Sequence, residues 1–247
     1  MMMAGAALFA IINILFLHIS FGTTVKERKL PLIVSTWGNK DFQAAAQRSP
    51  FDRIKSSPSH RLLALVEGLT ECENRQCDTT VGYGGSPDED GETTLAEDMD
   101  RSFSKNSHDT IGMIIIDKNK DVSVGTSTNG ARNKIAGRVG DSALPGAGGY
   151  VDNLVGGASA TGDGDIMMRF LPSFLAVEKM RSGASPKKAA EIAIMRIKEH
   201  YPNFFGAVVC GNIKGEHGAA CNGMPIFQYT AGNGGEKNVK VYNVKCF

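Results

Sequence analysis

The triplet His108-Asp109-Thr110 could carry covalent chemistry, because it lies where a polar loop meets an apolar, strand-like run. A cut after Asp109 would make Thr110 a first residue and place its α-amino group beside its own hydroxyl. An α-amine has a pKa of ~7.7–8, so at neutral pH its unprotonated fraction can act as general base. The triplet therefore predicts a threonine nucleophile, freed when the Thr110 hydroxyl attacks the Asp109 carbonyl. On these residues alone, a turn or cap at a strand start remains the alternative.

Short motifs, most of them containing glycine, surround this triplet in a definite order. Two precede it, Ser35 to Trp37 and Val81 to Asp88, and three follow it. Those three are Gly125 to Gly130, Gly137 to Ser142 and Ala160 to Asp165. Each motif alone also fits a structural role, such as strand filling, a surface ion pair or a turn before a helix.

Taken together and in order, the motifs resemble those of the glycosylasparaginase (aspartylglucosaminidase) family of N-terminal-nucleophile hydrolases. The likeness covers nearly everything from Gly82 to Asp98 and from His108 to Cys221, and the beginning more loosely. It implies the four-layer αββα sandwich of that superfamily and hydrolysis of the amide that joins N-acetylglucosamine to asparagine. It also implies no metal or organic cofactor, and a pair of two-chain units as the assembly.

The resemblance assigns a role to each of these residues. Thr110 is similar to the nucleophile, and Thr128 to the hydroxyl that supports it. Arg138 and Asp141 resemble the groups that bind the α-carboxylate and α-ammonium of the substrate, and arginine suits a carboxylate because it binds it bidentately. Thr161 and Gly162 resemble an oxyanion hole, which stabilises charge developing on the carbonyl oxygen. Trp37 resembles a pocket-wall tryptophan.

The chain departs from this family before the nucleophile. The likeness stops near Asp98, and only Arg101 to Ser107 separates Asp100 from His108, where the family has a long stretch. Part of the first-chain layer is therefore expected to be missing. Two alternatives to the leading function follow. One is an asparaginase or isoaspartyl peptidase of the same superfamily, and the other is an inactive, shortened isoform that binds partners or does not fold.

The elements that must position the site begin with a strand over Leu30 to Ser35. Asn39 to His60 is interpreted as irregular, Leu62 to Glu71 as a helix, and Asp88 to Asn106 as an exposed polar loop. After Thr110 come a hairpin of two strands, a turn-rich segment and two helices, followed by three more strands. The hairpin strands are Thr110 to Asp117 and Val122 to Thr128; the turn-rich segment is Asn129 to Asp165; the helices are Ile166 to Arg181, interrupted at Pro172, and Pro186 to about His200; the last strands are Phe205 to Ile213, Gly218 to Asn222 and Val239 to Val244. This order predicts an α+β fold with helices on a mainly antiparallel sheet.

The first 22 residues predict a secretory signal peptide, because Ala4 to Ile19 is nearly all apolar and small residues follow it. An uncleaved membrane anchor is the alternative. The predicted organisation is then residues 1–22 as leader, 23–109 as the first (alpha) chain and 110–247 as the second (beta) chain, both chains forming one domain. A secretory route favours the lysosome, with the extracellular space as the alternative. No Asn-x-Ser/Thr sequon is present to carry a glycan tag.

The formal net charge of the 247 residues is +1, which gives no electrostatic case for nucleic acid or an anionic membrane as partner. Of five cysteines, Cys72 and Cys77 are close enough for a small local loop, and the odd count leaves one over. Their spacing is a poor match to zinc sites. The resemblance pairs Cys221 with Cys246. It also implies that Cys210 is a free buried thiol, because Ala190 stands at its partner position.

Overall fold

The structure is a computed structural model that describes residues 30–77, 81–82, 89–90, 110–131 and 133–247. The predicted leader, His108 and Asp109 lie outside these ranges, as does most of the predicted loop from Asp88 to Asn106. Among the helices in these ranges, none is both long and apolar enough to cross a membrane.

The strands of the described ranges form two antiparallel sheets. The larger sheet has the order β3-β2-β1-β8-β9 and the smaller sheet the order β4-β5-β6-β7. The strands are β1 (Leu32–Thr36), β2 (Thr110–Ile116), β3 (Val122–Thr128), β4 (Gly149–Asp152), β5 (Gly156–Gly162), β6 (Gly206–Asn212), β7 (His217–Asn222), β8 (Ile226–Asn233) and β9 (Lys240–Lys245).

Helices cover the outer face of each sheet. They are α1 (Lys40–Ala46), α2 (Asp52–Ser56), α3 (Arg61–Asn74), α4 (Gly164–Met167), α5 (Pro172–Arg181) and α6 (Pro186–Lys198). One core joins α1 to α3 with β1 and β2, through residues such as Phe42, Leu65 and Met113. A second core joins α5 and α6 with β5 to β7, through residues such as Val177 and Ile194.

The third core lies between the two sheets. Along β2, Ile111, Met113 and Ile115 belong to the helix-side core, whereas Ile114 and Ile116 belong to this one. That alternation follows from the two-residue period of a strand and explains why β2 is buried along its whole length. The sheets are close at Gly112, where an added Cβ would overlap the Ser159 hydroxyl. Small residues therefore let β2 and β5 meet beside Thr110.

The prediction that Asn39 to His60 is irregular is wrong. The segment forms α1, a π-helical turn over Gln47–Phe51, α2 and a 3₁₀ turn over Pro58–His60. Asn39 caps α1 by accepting hydrogen bonds from the backbone of Asp41 and Phe42. The apolar side chains that fasten this segment, Phe42, Phe51 and Ile54, are fully buried but widely spaced among polar residues. That spacing hides the helical period in the sequence.

Most of the predicted elements after Thr110 are confirmed, including the β2–β3 hairpin and the Ser185 cap of α6. The interrupted helix is two helices, separated at Leu171, whose φ of 46° lies in the left-handed region. Three strands were not predicted: β4, β5 and β8. The sequence of β5 is Gly-Gly-Ala-Ser-Ala-Thr-Gly, typical of turns, yet it is the inner strand on which β2 packs.

Candidate active site

Thr110 and Thr128 form a cross-strand pair at the open end of the β2–β3 hairpin. Their hydroxyl oxygens lie 2.9 Å apart, and the Thr110 side chain is largely buried, with 5% of the residue exposed. Thr36, at the end of β1, accepts a hydrogen bond from the Gly112 N–H at 2.9 Å. The same Thr36 hydroxyl donates to the Thr110 carbonyl at 3.5 Å. Three strands of the larger sheet thus fix the backbone and hydroxyl of Thr110.

A pocket of about 560 Å³ opens at this end of the hairpin. Five of the predicted site residues line it: Thr110, Thr128, Arg138, Asp141 and Gly162. The full lining is Thr110, Thr128, Asn129, Gly130, Ala131, Lys134, Arg138, Val139, Gly140, Asp141, Ser142, Ala143, Gly162, Asp163, Gly164 and Asp165. The structure therefore brings the predicted nucleophile, its supporting hydroxyl, both predicted charge-binding groups and Gly162 to one cavity.

Arg138 reaches this pocket with its guanidinium held from one side. Asp165 Oδ1 accepts a hydrogen bond from the Arg138 Nε at 3.0 Å and forms an ion pair with its Nη2 at 2.9 Å. The Arg138 side chain is 15% exposed, so most of its stem is covered while its remaining donors can bind a ligand. Asp165 belongs to the first turn of α4, which makes the start of that helix part of the site.

Asp141 is nearly buried, with 4% of the residue exposed, at the start of a 3₁₀ turn over Asp141–Ala143. Thr126 of β3 donates to the Ser142 carbonyl at 2.9 Å, and the Gly148 N–H donates to the Asp141 carbonyl at 2.9 Å. A Cβ added to Gly164 would lie 2.8 Å from Asp141 Oδ1 and 3.2 Å from Arg138 Nη2. The carboxylate and the guanidinium therefore meet beside the bare backbone of Gly164.

Thr161 and Gly162 end β5, on the smaller sheet. Gly162 has a φ of 131°, and an added Cβ would collide with the backbone of Phe205 and Gly206, so only glycine fits there. Its neighbour Thr161 is 1% exposed and accepts a hydrogen bond from the Trp37 indole Nε1 at 3.2 Å. Thr161 and Trp37 are not among the residues that line the 560 Å³ pocket.

This arrangement has the parts that acyl transfer to a hydroxyl requires. The largely buried Thr110, with its hydroxyl, lines the pocket. A guanidinium and a carboxylate line the same cavity and can bind the two charged groups of an amino acid. The backbone at Gly162 lines it as well.

Comparisons with known proteins show the family of this chain. The protein-family model described as Asparaginase matches residues 94–241. A Drosophila persimilis relative, called a putative N(4)-(β-N-acetylglucosaminyl)-L-asparaginase, is 35% identical over 327 aligned positions, covering 88% of this chain and 84% of the relative. The N(4)-(β-N-acetylglucosaminyl)-L-asparaginases of Mus musculus and Rattus norvegicus are each 35% identical, covering 80% of this chain and 86% of their own. The chain belongs to the glycosylasparaginase family of N-terminal-nucleophile amidohydrolases.

Four residues that support this candidate site were not among the sequence predictions. Thr36 and Thr126 fasten the backbone around Thr110 and Asp141, while Gly164 and Asp165 shape and orient the pair of charged groups. Asp165 carried a partial signal, because an acidic residue is favoured in the first turn of a helix, but its partner Arg138 is 27 residues away. Thr36 carried none, since its partner Gly112 is 76 residues away.

Both predicted disulfides are present in this family member, Cys72–Cys77 and Cys221–Cys246. Cys210 is free and buried, as the resemblance implied, and Ala190 lies in the same core cluster. Burial without a charged partner raises the pKa of the Cys210 thiol far above its ordinary value. It therefore stays protonated and unreactive in the native protein.

Proposed function

We propose that this chain hydrolyses the amide bond of N4-(β-N-acetylglucosaminyl)-L-asparagine during glycoprotein breakdown, releasing aspartate and the sugar amine. The observation that carries the proposal is the Thr110–Thr128 hydroxyl pair at 2.9 Å, lining one pocket with Arg138 and Asp141. The names of the relatives from Drosophila persimilis and Mus musculus support the same substrate.

In this proposal Thr110 is the first residue of the second chain. Its α-amine takes the proton of the hydroxyl as Oγ attacks the side-chain carbonyl of the substrate asparagine. The C–N bond to the sugar breaks, the leaving nitrogen takes that proton, and aspartate remains as an ester on Thr110. Water, deprotonated by the same amine, then attacks the ester and frees aspartate. Thr128 keeps the nucleophile oriented through its hydroxyl.

Arg138 and Asp141 select the amino-acid end of the substrate. The guanidinium, already held by Asp165, binds the α-carboxylate with its free donors, and Asp141 binds the α-ammonium. Thr161 and Gly162 form the oxyanion hole, one hydroxyl and one backbone N–H directed at the developing charge. The resemblance makes Trp37 a pocket wall; Trp37 does not line the 560 Å³ pocket itself, and its link to the site is its hydrogen bond to Thr161. The sugar leaves on the open side of the pocket.

Self-cleavage after Asp109 creates this nucleophile. The Thr110 hydroxyl attacks the Asp109 carbonyl, and hydrolysis of the resulting ester gives chains 23–109 and 110–247 within one domain. The Thr36 contacts at Thr110 and Gly112 support this step, because they hold the backbone beside the cut. The fold that serves it is the four-layer αββα sandwich, which the two sheets with helices on both outer faces support.

We propose further that an internal part of the first chain is missing. The alignment with the Drosophila persimilis relative runs over 327 positions, whereas 88% of this 247-residue chain is about 217 residues. About 110 aligned positions therefore have no counterpart in this chain. The abrupt end of the likeness near Asp98 supports a gap just after that residue.

The cellular setting is also a proposal. The apolar leader supports entry into the secretory pathway, with the lysosome as destination and the extracellular space as the alternative. Two disulfides support the same route, because disulfides persist in oxidising compartments. The assembly is proposed to be a pair of two-chain units.

One second candidate has a specific observation in its favour. The family model that matches residues 94–241 is described only as Asparaginase. Hydrolysis of free asparagine or of β-aspartyl peptides by the same threonine chemistry is therefore the alternative substrate class.

The test uses the full chain secreted from a eukaryotic host. A denaturing gel with terminal sequencing is expected to show two chains, the second beginning Thr-Ile-Gly-Met. The purified protein is then assayed on glycosylasparagine, asparagine and a β-aspartyl dipeptide, and the highest kcat/KM is expected for the first. A single uncut chain that hydrolyses none of the three would identify an inactive shortened isoform. Preference for asparagine or the dipeptide would favour the second candidate.

A further inference from the structure

Trp37 makes a directional contact with the predicted oxyanion-hole hydroxyl. Its indole Nε1 lies 3.2 Å from Thr161 Oγ1. An indole N–H is a donor only, whereas a hydroxyl has one proton and two lone pairs. Thr161 must therefore accept in this contact, and its own proton has to point in a different direction.

Trp37 has an unusual backbone conformation, and several contacts hold the residue in place. Its φ is 63°, in the left-handed region that bulky residues rarely adopt. Thr230 donates to the Trp37 carbonyl at 3.0 Å. The indole packs edge-on against Phe227 with ring centroids 5.1 Å apart, and it stacks on Phe205 at 6.3 Å. Backbone strain that surrounding contacts hold in place is found mainly at active sites and ligand-binding sites.

The contact between Trp37 and Thr161 joins the two sheets and also the two proposed chains. Trp37 follows β1 of the larger sheet, and Thr161 lies on β5 of the smaller sheet. Trp37 precedes the proposed cut after Asp109, and Thr161 follows it. A residue of the proposed first chain, Trp37, thus contacts the second chain at Thr161, next to Gly162, which lines the pocket.

We propose that Trp37 is a positioning residue that sets the direction of the Thr161 hydroxyl proton. The indole N–H occupies one lone pair of Thr161, so the proton turns towards the oxygen of the bound acyl group. A hydroxyl fixed in advance stabilises the developing oxyanion without reorganising during the reaction. This inference rests on the proposed function, and it gives Trp37 an effect on kcat that a pocket wall alone would not have.

The experiment exploits the fact that the sequence contains a single tryptophan. Expression in a tryptophan auxotroph supplied with β-(3-benzothienyl)alanine replaces only position 37, and it exchanges the N–H for sulfur at nearly the same ring size. The cleaved enzyme is expected to lose about five- to tenfold in kcat, as for one lost hydrogen bond. KM is expected to stay unchanged, because ground-state contacts with the amino-acid end are kept.

Two variants of Thr161 show whether the effect passes through its hydroxyl. In Thr161→Ser the analogue should lower kcat by the same factor as in the parent, because the acceptor remains. In Thr161→Val it should have no further effect on kcat, because the group it acts through is gone. An equal loss in all three backgrounds, a raised KM with normal kcat, or no change at all would overturn the proposal.

A readout without turnover separates this proposal from the proposed function. The one indole N–H gives one ¹H–¹⁵N cross-peak, and Thr161→Val is expected to shift it while Thr161→Ser leaves it close to the parent position. If the peak moves but the parent hydrolyses no substrate, the contact stands and the proposed function fails. A peak that does not move in Thr161→Val would overturn the contact itself.

Discussion

The hydroxyl oxygens of Thr110 and Thr128 lie 2.9 Å apart because the two residues face each other across the β2–β3 hairpin. Cross-strand partners have Cβ atoms about 4.5–5.5 Å apart, which brings two threonine hydroxyls within hydrogen-bonding distance. The register of seven residue pairs along the hairpin, from Ile116 with Val122 to Thr110 with Thr128, therefore sets a chemical contact at its open end. A slip of one residue would place a different side chain opposite Thr110, the proposed nucleophile.

Thr128→Val should distinguish the contribution of the Thr128 hydroxyl from that of the side-chain shape. Valine keeps the branched side chain and the strand preference but cannot hydrogen-bond to Thr110. We expect kcat to fall about five- to tenfold, as for one lost hydrogen bond, and self-cleavage to slow as well. Thr128→Ser, which keeps the hydroxyl, is the matched control and should retain both activities. Uncut precursor on a gel and initial rates are the measurements; equal behaviour of the two variants would contradict the role.

Gly164→Ala should weaken substrate binding without unfolding the protein. The new methyl would lie 2.8 Å from Asp141 Oδ1 and 3.2 Å from Arg138 Nη2, so both charged groups must move. Displacing a charge-assisted hydrogen bond costs about 1.5–3 kcal/mol, which raises KM by roughly ten- to a hundredfold. Gly164 lies in the first turn of α4, where alanine is the better helix former. A Tm loss that accompanied an unchanged KM would assign Gly164 to folding instead.

Gly112→Ala should destabilise the contact between the two sheets, because its Cβ would overlap the Ser159 hydroxyl. Overpacking of this kind costs about 1–3 kcal/mol of unfolding free energy. Ser159→Gly in the same protein removes the colliding atoms and should restore part of that loss. Urea unfolding of the single and double variants measures both. A double variant no more stable than Gly112→Ala would show that the sheets do not meet there.

Cys210 should behave as one hidden thiol. Native protein is expected to react with no thiol reagent, denatured protein without reductant at one site, and reduced protein at five. The unfolded thiol ionises above pH ~8.5, while burial raises the pKa of the native one beyond that range. The free energy of unfolding should therefore fall by about 1.4 kcal/mol per pH unit above that point. Cys210→Ala should lack this slope; a native protein that reacts rapidly would contradict the burial.

The sequence predicted those parts of the fold in which local pattern and tertiary environment agree. The β2–β3 hairpin has two apolar runs with a short polar turn, and α6 has a serine cap followed by proline. Both are local signals. The glycine-rich β5 was missed because its small residues resemble a turn in sequence. They allow the larger sheet to pack closely against β5, and that contact exists only in the folded chain.

The candidate site shows the same division. Thr110, Arg138 and Asp141 were predicted because they stand in motifs that resemble a family, and the pocket brings them together. Their supports were not predicted, since they depend on contacts distant along the chain. The bond from Thr36 to Gly112 spans 76 residues and that from Trp37 to Thr161 spans 124. Nothing in the local sequence marks such a pair.

The strand β1 lies in the middle of the larger sheet, paired with β2 on one side and β8 on the other. If the chain is cut after Asp109, this central strand belongs to one polypeptide and both of its neighbours to the other. Before the cut, folding is a first-order process within one chain. After the cut, the two chains of an unfolded molecule must associate again by collision, so refolding depends on the concentration of both chains and on neither having been degraded. In a compartment full of proteases, the working lifetime of such an enzyme is set by how slowly it opens rather than by how readily it refolds.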